Sequence, residues 1–152
     1  MDNSTKDKQE ALDRRYIRMA SIWAENSYCQ RRQVGALIVK DKMIISDGYN
    51  GTPSGFENVC EDENNVTKPY VLHAEANAII SASRNECIGG DIYLVGHDAK
   101  TGAILSDATS CSMCRRMIIN AGLRRVVIRN TETEFTVVSV QDWIDQDDTL
   151  EL

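Results

Sequence analysis

The alternation of apolar and polar residues along the first half of the chain predicts one helix, two strands and a long loop. Residues 8–26, KQEALDRRYIRMASIWAEN, place apolar side chains at intervals of three and four residues, the pattern of one buried helix face. The stretch QVGALIVKDKMIISDGYNG has apolar runs on both sides of Lys40-Asp41-Lys42, which predicts a hairpin with a short polar turn. Residues 51–69 are rich in Gly, Pro, Asn and acidic side chains, and therefore predict a loop.

The second half of the chain alternates helical and strand patterns. VLHAEANAII, residues 71–80, continues through SASRN as a second predicted helix, and DIYLVG is a third strand. SMCRRMIINAG predicts a third helix that ends at Gly122, because glycine tolerates the left-handed conformation common at helix ends. RRVVIRN predicts a fourth strand, and EFTVVSVQDWIDQ a short strand and a terminal helix. Strands alternating with helices indicate a three-layer α/β domain with partly parallel strands.

Length, composition and charge narrow the class of protein. The 152 residues, with 42% hydrophobic and 26% charged side chains, fit a single domain over 1–152, with a polar tail at about 1–7 and an acidic tail at about 146–152. The net charge of −6 argues against a non-specific nucleic-acid binder. Four arginine pairs, at 14–15, 31–32, 115–116 and 124–125, could form local basic pockets, but such pairs more often lie on solvated edges.

The terminal residues and the cysteines indicate the compartment. The first ten residues are polar, no apolar core of a signal peptide follows them, and no apolar run reaches the length of a membrane span. We therefore expect a cytoplasmic protein that does not contact a membrane. The chain has five cysteines, and a reducing compartment would keep them as thiols. The spacing of the cysteines then matters more than their pairing.

One group of residues has the composition of a metal site. Cys111 and Cys114 form a Cys-x-x-Cys at a predicted helix start, where the helix dipole favours ionised sulfur. Because the chain has no second such pair, His73 is the obvious third ligand, and three ligands with an open position are typical of a catalytic zinc. Glu75, two residues after His73, is placed to transfer protons. A lone His-x-Glu often occurs by chance, and a lone Cys-x-x-Cys can be a redox pair; the combination is more specific.

The chain resembles the zinc-dependent nucleobase deaminases in its His-x-Glu followed by Cys-x-x-Cys. It is most similar to the deoxycytidylate deaminases, through SYCQRRQVGALIV, GYNGTPSGF, HAEANAI and INAGLRRVV, over about residues 16–129. The resemblance implies a three-layer α/β/α cytidine-deaminase-like fold with a central mixed five-stranded sheet. It also implies hydrolysis of dCMP to dUMP and ammonia, with Zn²⁺ held by His73, Cys111 and Cys114 and with Glu75 as the proton carrier.

The resemblance implies further contacts and partners. Asn50 would lie near the sugar, although an Asn before Gly51 can equally be a turn former. Arg84 would meet the phosphate, by a long reach or from a neighbouring subunit, so we expect a homo-oligomer, a dimer or hexamer. Asn77 is interpreted as a residue that positions the helix. A candidate effector loop for dCTP or dTTP contains Gly48, Asn50, Gly51 and Gly55.

The chain departs from the family pattern in two places. Ser110 stands where the family usually has Pro before the first cysteine, and we expect it to cap the helix start instead. An insertion at about 96–108 precedes that cysteine, with Lys100-Thr101-Gly102 as a hairpin tip, and its His97 is interpreted as a surface residue.

The other three cysteines lie outside the predicted zinc site. Cys29 and Cys60 could be remnants of a second metal site, which we do not expect to be retained because its histidines are absent. Cys87 is interpreted as a partly buried thiol. The alternatives to dCMP are another nucleotide or a base in transfer RNA as substrate, or an inactive relative stabilised by zinc.

Overall fold

The computed structural model describes residues 3–106 and 109–146. Its strands form one mixed sheet in the order β2-β1-β3-β4-β5, in which only the β3–β4 pair is parallel. The elements are α1 (Asn3–Ala24), β1 (Arg32–Lys40), β2 (Met43–Tyr49), α2 (Ala74–Ile80), α3 (Arg84–Cys87), β3 (Asp91–Asp98), α4 (Ser112–Asn120), β4 (Arg125–Arg129), β5 (Phe135–Ser139) and α5 (Val140–Gln146). The predicted five-stranded mixed sheet is confirmed.

Two apolar clusters on opposite faces of the sheet give the molecule its three layers. Alternate residues of a strand point to opposite faces, and in β3 Tyr93 belongs to one cluster while Ile92 belongs to the other. The Tyr93 face packs against α1, and the Ile92 face packs against α2, α3, α4 and α5. The fold is therefore the expected three-layer α/β/α arrangement, and α2 and α4 share one face of the sheet.

The strands and turns of the first half of the sheet follow the sequence prediction closely. Asp41 and Lys42 form the two-residue hairpin turn, with φ angles of 52° and 64°. Two positive φ angles match the right-handed twist of the flanking strands. In β2, Gly48 allows α2 to approach closely, because a Cβ atom there would lie 2.5 Å from the carbonyl oxygen of Ala74. This contact fixes the start of α2 against the sheet.

The predicted second helix is wrong in its length, because it is two helices. The first ends at Ile80, and Ser83 caps a new helix through a capping box. The Ser83 hydroxyl accepts from the Glu86 amide at 3.2 Å, and the Glu86 carboxylate accepts from the Ser83 amide at 3.0 Å. Serine side chains compete for backbone hydrogen bonds in this way, which ends a continuous helix. Arg84 consequently does not lie on the axis of the helix that begins beside His73.

The structure describes the N-terminal segment from Asn3 and most of the insertion, but not the acidic C-terminal tail. Helix α1 begins at Asn3, before the predicted start at residue 8. Strand β3 extends to Asp98 into the predicted insertion, and after a turn the chain returns so that Leu105 N donates to Gly96 O at 2.8 Å. Residues 107 and 108, and the acidic tail from 147 onward, lie outside the described residues.

Membrane insertion has no support from the helices. Within residues 3–106 and 109–146, none of them combines the length and the apolar character that a bilayer crossing requires.

Candidate active site

A cavity of about 390 Å³ opens where α2 and α4 begin. Its walls come from the segment before β1, the end of β2, the long loop and the starts of both helices. The lining residues that concern its chemistry are Arg31, Arg32, Asn50, His73, Glu75 and Cys111. A volume of this size suits a small organic ligand.

Three predicted metal ligands lie together at this cavity: His73 and Cys111 line it, and Cys114 is buried beside them. His73 Nδ1 lies 3.5 Å from the Cys111 sulfur and 3.3 Å from the Cys114 sulfur, and the three ligand atoms lie within 4.8 Å of one another. A tetrahedral zinc with Zn–S and Zn–N distances of ~2.3 and ~2.0 Å separates sulfur from nitrogen by about 3.5 Å. The donor set and its spacing therefore fit zinc.

Both ligand segments stand at helix starts. His73 is the N-cap residue of α2 and Cys111 is the N-cap residue of α4, each with an extended backbone conformation. Because the amide groups of a first helical turn have no partners within the helix, negative charge is favoured there. Burial raises the pKa of the Cys114 thiol, and the nearby Glu75 and Cys111 raise it further. A bound cation would offset each of these three causes.

Glu75 lies in the first turn of α2 and lines the cavity, although its side chain is almost fully buried. The Ser110 hydroxyl donates to Glu75 Oε2 at 2.9 Å, and Ser110 is also buried. The prediction that Ser110 caps the helix start is wrong, since Cys111 occupies the N-cap position. The hydroxyl is directed instead to the carboxylate, which needs a hydrogen-bond donor in a buried site.

Asn50 lines the cavity, but its amide also holds the end of the sheet together. Its Oδ1 accepts from Val34 N at 2.8 Å, and its Nδ2 donates to the Arg32 carbonyl at 2.9 Å. Asn50 therefore links the end of β2 to the start of β1 at the cavity wall. Asn77 has the predicted positioning role, because its Nδ2 donates to Tyr49 O at 2.8 Å.

Arg84 is not brought to the cavity within this chain. Its Nε donates to the Asn120 carbonyl at the end of α4, at 3.0 Å, and it is not among the residues lining the cavity. The break between α2 and α3 accounts for this position, since Arg84 begins a separate helix.

The glycines of the candidate effector loop have different surroundings. Gly48 lies inside β2 against α2, and a Cβ atom at Gly51 would lie 2.9 Å from the Tyr28 hydroxyl oxygen. Close packing therefore accounts for both glycines. Gly55 has a φ of 91° and open space around its Cα, so it serves a turn in the long loop.

Sequence reasoning missed the basic side of the cavity. The sequence leaves a local basic pocket at Arg31 and Arg32 possible but favours a solvated pair; both residues are exposed, and both line the cavity. Glu61 holds this segment in place, since its Oε1 accepts from Gln30 N at 2.8 Å and from Arg31 N at 3.1 Å. The available signal was the position of the pair at the start of the QVGALIV strand, where Val34 meets Asn50.

The expectation that all cysteines are thiols is also wrong. Cys29 and Cys60 form a disulfide, so their sulfurs are bonded to each other and do not form a second metal site. The long loop folds back over the start of β1 and places the two residues together, a contact that sequence spacing could not indicate. Cys87 is a free thiol and is fully buried.

His97 is not part of the predicted metal-ligand cluster. Its Nε2 is 2.7 Å from the Ser21 hydroxyl on α1, and its Nδ1 is 3.2 Å from the Gly102 carbonyl. It is half-buried between α1 and the turn after β3 rather than a free surface residue.

Comparison with known proteins gives a family that agrees with this geometry. Residues 10–130 match the family model described as the cytidine and deoxycytidylate deaminase zinc-binding region. The deoxycytidylate deaminase of Mycobacterium phage D29 is 29% identical to this chain, and the match covers 76% of this chain and 91% of the phage protein. The deoxycytidylate deaminase of Saccharomyces cerevisiae is 32% identical to this chain. The match covers 76% of this chain but only 36% of the length of the yeast protein.

A solved structure shares both the fold and a third of the aligned residues. The dCMP deaminase of cyanophage S-TIM5, crystallised with dCMP and dUMP, superposes with a TM-score of 0.63 at 33% identity, covering 86% of this chain and 85% of the other.

Proposed function

Because the chain belongs to the cytidine and deoxycytidylate deaminase family, we propose that it hydrolyses dCMP to dUMP and ammonia with the help of zinc. In chemical terms it is a hydrolase that breaks a C–N bond of a cyclic amidine. The observation that carries the proposal is the cluster of His73, Cys111 and Cys114, together with Glu75, at a cavity that His73, Glu75 and Cys111 line. The phage enzymes named above support the choice of dCMP among the family's substrates.

The roles of the four residues follow from their chemistry. His73, Cys111 and Cys114 would hold the zinc, which, when bound, activates a water molecule as the nucleophile. Glu75 lies beside them and transfers protons: it would pass one proton of the water to ring N3 of the cytosine, and then pass the second proton, from the hydroxyl added at C4, to the departing amine. The carboxylate is suited to this because it is shielded from bulk solvent yet lines the cavity.

Arg31 and Arg32 are the best candidates for the phosphate of dCMP. Both line the cavity that contains Glu75, whereas Arg84 does not. Arg31 reaches across to the long loop, where its guanidinium donates to Thr67 Oγ1 at 3.4 Å. A guanidinium binds phosphate oxygens through charge-assisted hydrogen bonds.

Oligomeric state and regulation belong to the same proposal. A contact from Arg84 to the phosphate would require a neighbouring subunit, so we keep a homo-oligomer, a dimer or hexamer, as part of the proposed function. Regulation by dCTP or dTTP would act on the segment around Asn50 and Gly51, because this segment adjoins the cavity.

Ammonia release from dCMP, dCTP, cytidine and deoxycytidine, measured side by side on the zinc-loaded protein, tests the proposal. Glu75→Ala supplies the blank, and Glu134→Ala, which changes an exposed glutamate, is its control. We expect dCMP to be the best substrate and the blank to be inactive. Activity on transfer RNA without release of dUMP would replace the substrate, and inactivity on every nucleotide and on RNA would indicate a relative that has lost catalysis.

A further inference from the structure

The carboxylate of Glu75 has a dedicated hydrogen-bond donor in Ser110. Only 6% of Glu75 and 3% of Ser110 are exposed, and the Ser110 hydroxyl lies 2.9 Å from Glu75 Oε2. The two residues belong to different segments, one inside α2 and one just before α4. Their hydrogen bond therefore links the proton carrier to the segment that bears both cysteine ligands.

A glutamate that carries protons needs a fixed orientation. The last torsion of a glutamate side chain has a broad energy profile, so packing alone leaves the carboxylate plane poorly defined. A hydrogen bond from a hydroxyl to one carboxylate oxygen selects one orientation of that plane and, because it is charge-assisted, is stronger than a neutral one.

Ser110 is itself held from the other side. Its carbonyl accepts from Arg115 Nε at 3.2 Å, and the Arg115 guanidinium lies over the ring of Trp143, 5.2 Å from the centroid. Trp143 is buried in the apolar cluster beneath α4. A continuous set of contacts thus runs from the core through Arg115 and Ser110 to the Glu75 carboxylate.

We propose that Ser110 is a positioning residue that acts through Glu75, by holding the carboxylate in the orientation used for proton transfer. The inference rests on the proposed deaminase function. A proline at this position, as the family resemblance implies, has no side-chain donor, so this chain orients its glutamate by a contact that the proline could not supply. The effect should fall on the chemical step rather than on nucleotide binding, since Ser110 is not among the residues lining the cavity.

The test compares Ser110→Ala, which removes the hydroxyl, with Ser110→Thr, which keeps it. Ser112→Ala, an exposed serine two residues away, is the matched control. For each zinc-loaded variant we would measure kcat and KM for dCMP, the Kd of dUMP by calorimetry, the zinc content and the thermal midpoint. We expect Ser110→Ala to lower kcat by about tenfold or more while KM and the Kd of dUMP change less than about twofold, because one charge-assisted hydrogen bond is lost. Ser110→Thr and Ser112→Ala should stay within about threefold of wild type in kcat.

Several results would overturn the inference. An unchanged kcat in Ser110→Ala would show that Glu75 needs no such partner. A fall in kcat that is accompanied by loss of zinc or of thermal stability, or that Ser110→Thr reproduces in full, would show a structural role. If the wild-type protein deaminates no nucleotide, the proposed function fails; if the wild type is active and Ser110→Ala equals it, only this inference fails.

Discussion

His73 Nδ1 lies 3.3 Å from the sulfur of Cys114, although 41 residues separate the two along the chain. His73 precedes α2 and Cys114 lies in the first turn of α4, and both helices pack on the same face of the sheet. The proposed metal site can therefore form only when these two helices are docked, and metal binding should be coupled to folding.

Zinc content should be one ion per chain. Cys114→Ser should remove that ion and lower the thermal midpoint, because two ligands alone bind zinc weakly. Elemental analysis of the purified protein, with calorimetry of the same samples, measures both effects. Cys60→Ser is the control, since Cys60 is bonded to Cys29 and should leave the zinc content unchanged. Two zinc ions per chain would show that Cys29, Cys60 and Glu61 form a metal site instead of containing a disulfide.

Arg31→Ala should raise KM for dCMP by about tenfold or more and leave the rate with deoxycytidine unchanged. The physical reason is the loss of a charge-assisted contact, typically worth about 1.5–3 kcal/mol, that only the phosphorylated substrate makes. Steady-state kinetics with both substrates measures the difference. Arg84→Ala is the comparison variant: if it raises KM for dCMP and Arg31→Ala does not, the phosphate is met by Arg84 from a neighbouring subunit.

The disulfide between Cys29 and Cys60 should stabilise the cavity wall. The two cysteines are 31 residues apart, and closing a loop of that length lowers the entropy of the unfolded chain by an amount worth about 3–4 kcal/mol. Cys60→Ser should therefore lower the free energy of unfolding in urea by roughly this amount.

A reductant serves as the control for this variant. It should lower the stability of the wild type to that of Cys60→Ser and should not change the variant. Alkylation of the unreduced, denatured, zinc-free protein should label the three cysteines that are free, Cys87, Cys111 and Cys114. Labelling of all five cysteines would contradict the disulfide.

Arg125 should be essential for stability. Its guanidinium, 13% exposed, lies between Asp13 at 2.7 Å and Asp91 at 2.8 Å. Tyr93 also donates to Asp13 from the buried side. Arg125→Met leaves the buried Asp13 carboxylate without its counter-ion and leaves Asp91 paired only with the exposed Arg124, and removal of a buried partner typically costs about 3–5 kcal/mol.

Urea unfolding of Arg125→Met and Arg124→Met measures this effect. The Arg124 side chain is 61% exposed and contacts only Asp91 among these acids, so its replacement should change stability by less than about 1 kcal/mol. Equal losses in the two variants would show that burial of the Arg125 ion pairs is not what stabilises the fold.

The sequence by itself determined the features that depend on neighbours along the chain. Strand and helix periodicity predicted the five strands and most helices, the polar Lys40-Asp41-Lys42 predicted the hairpin turn, and Gly122 marked the end of α4, where its φ is 79°. The grouping of His73 and Glu75 with Cys111 and Cys114 was also readable, because the ligand types and their short spacings are local signals.

Only the tertiary structure decided the contacts between distant segments. The break at Ser83, by contrast, is local: Ser83 and Glu86 have the spacing of a capping box, a sequence signal that the apolar pattern of a continuous helix obscured. The pairing of Cys29 with Cys60, the place of Arg31 in the cavity lining and the hydrogen bond from Ser110 to Glu75 depend on how the loop and two helices pack on one sheet. No short-range spacing encodes such contacts, because they form only when the chain closes over long sequence separations and buries the groups involved.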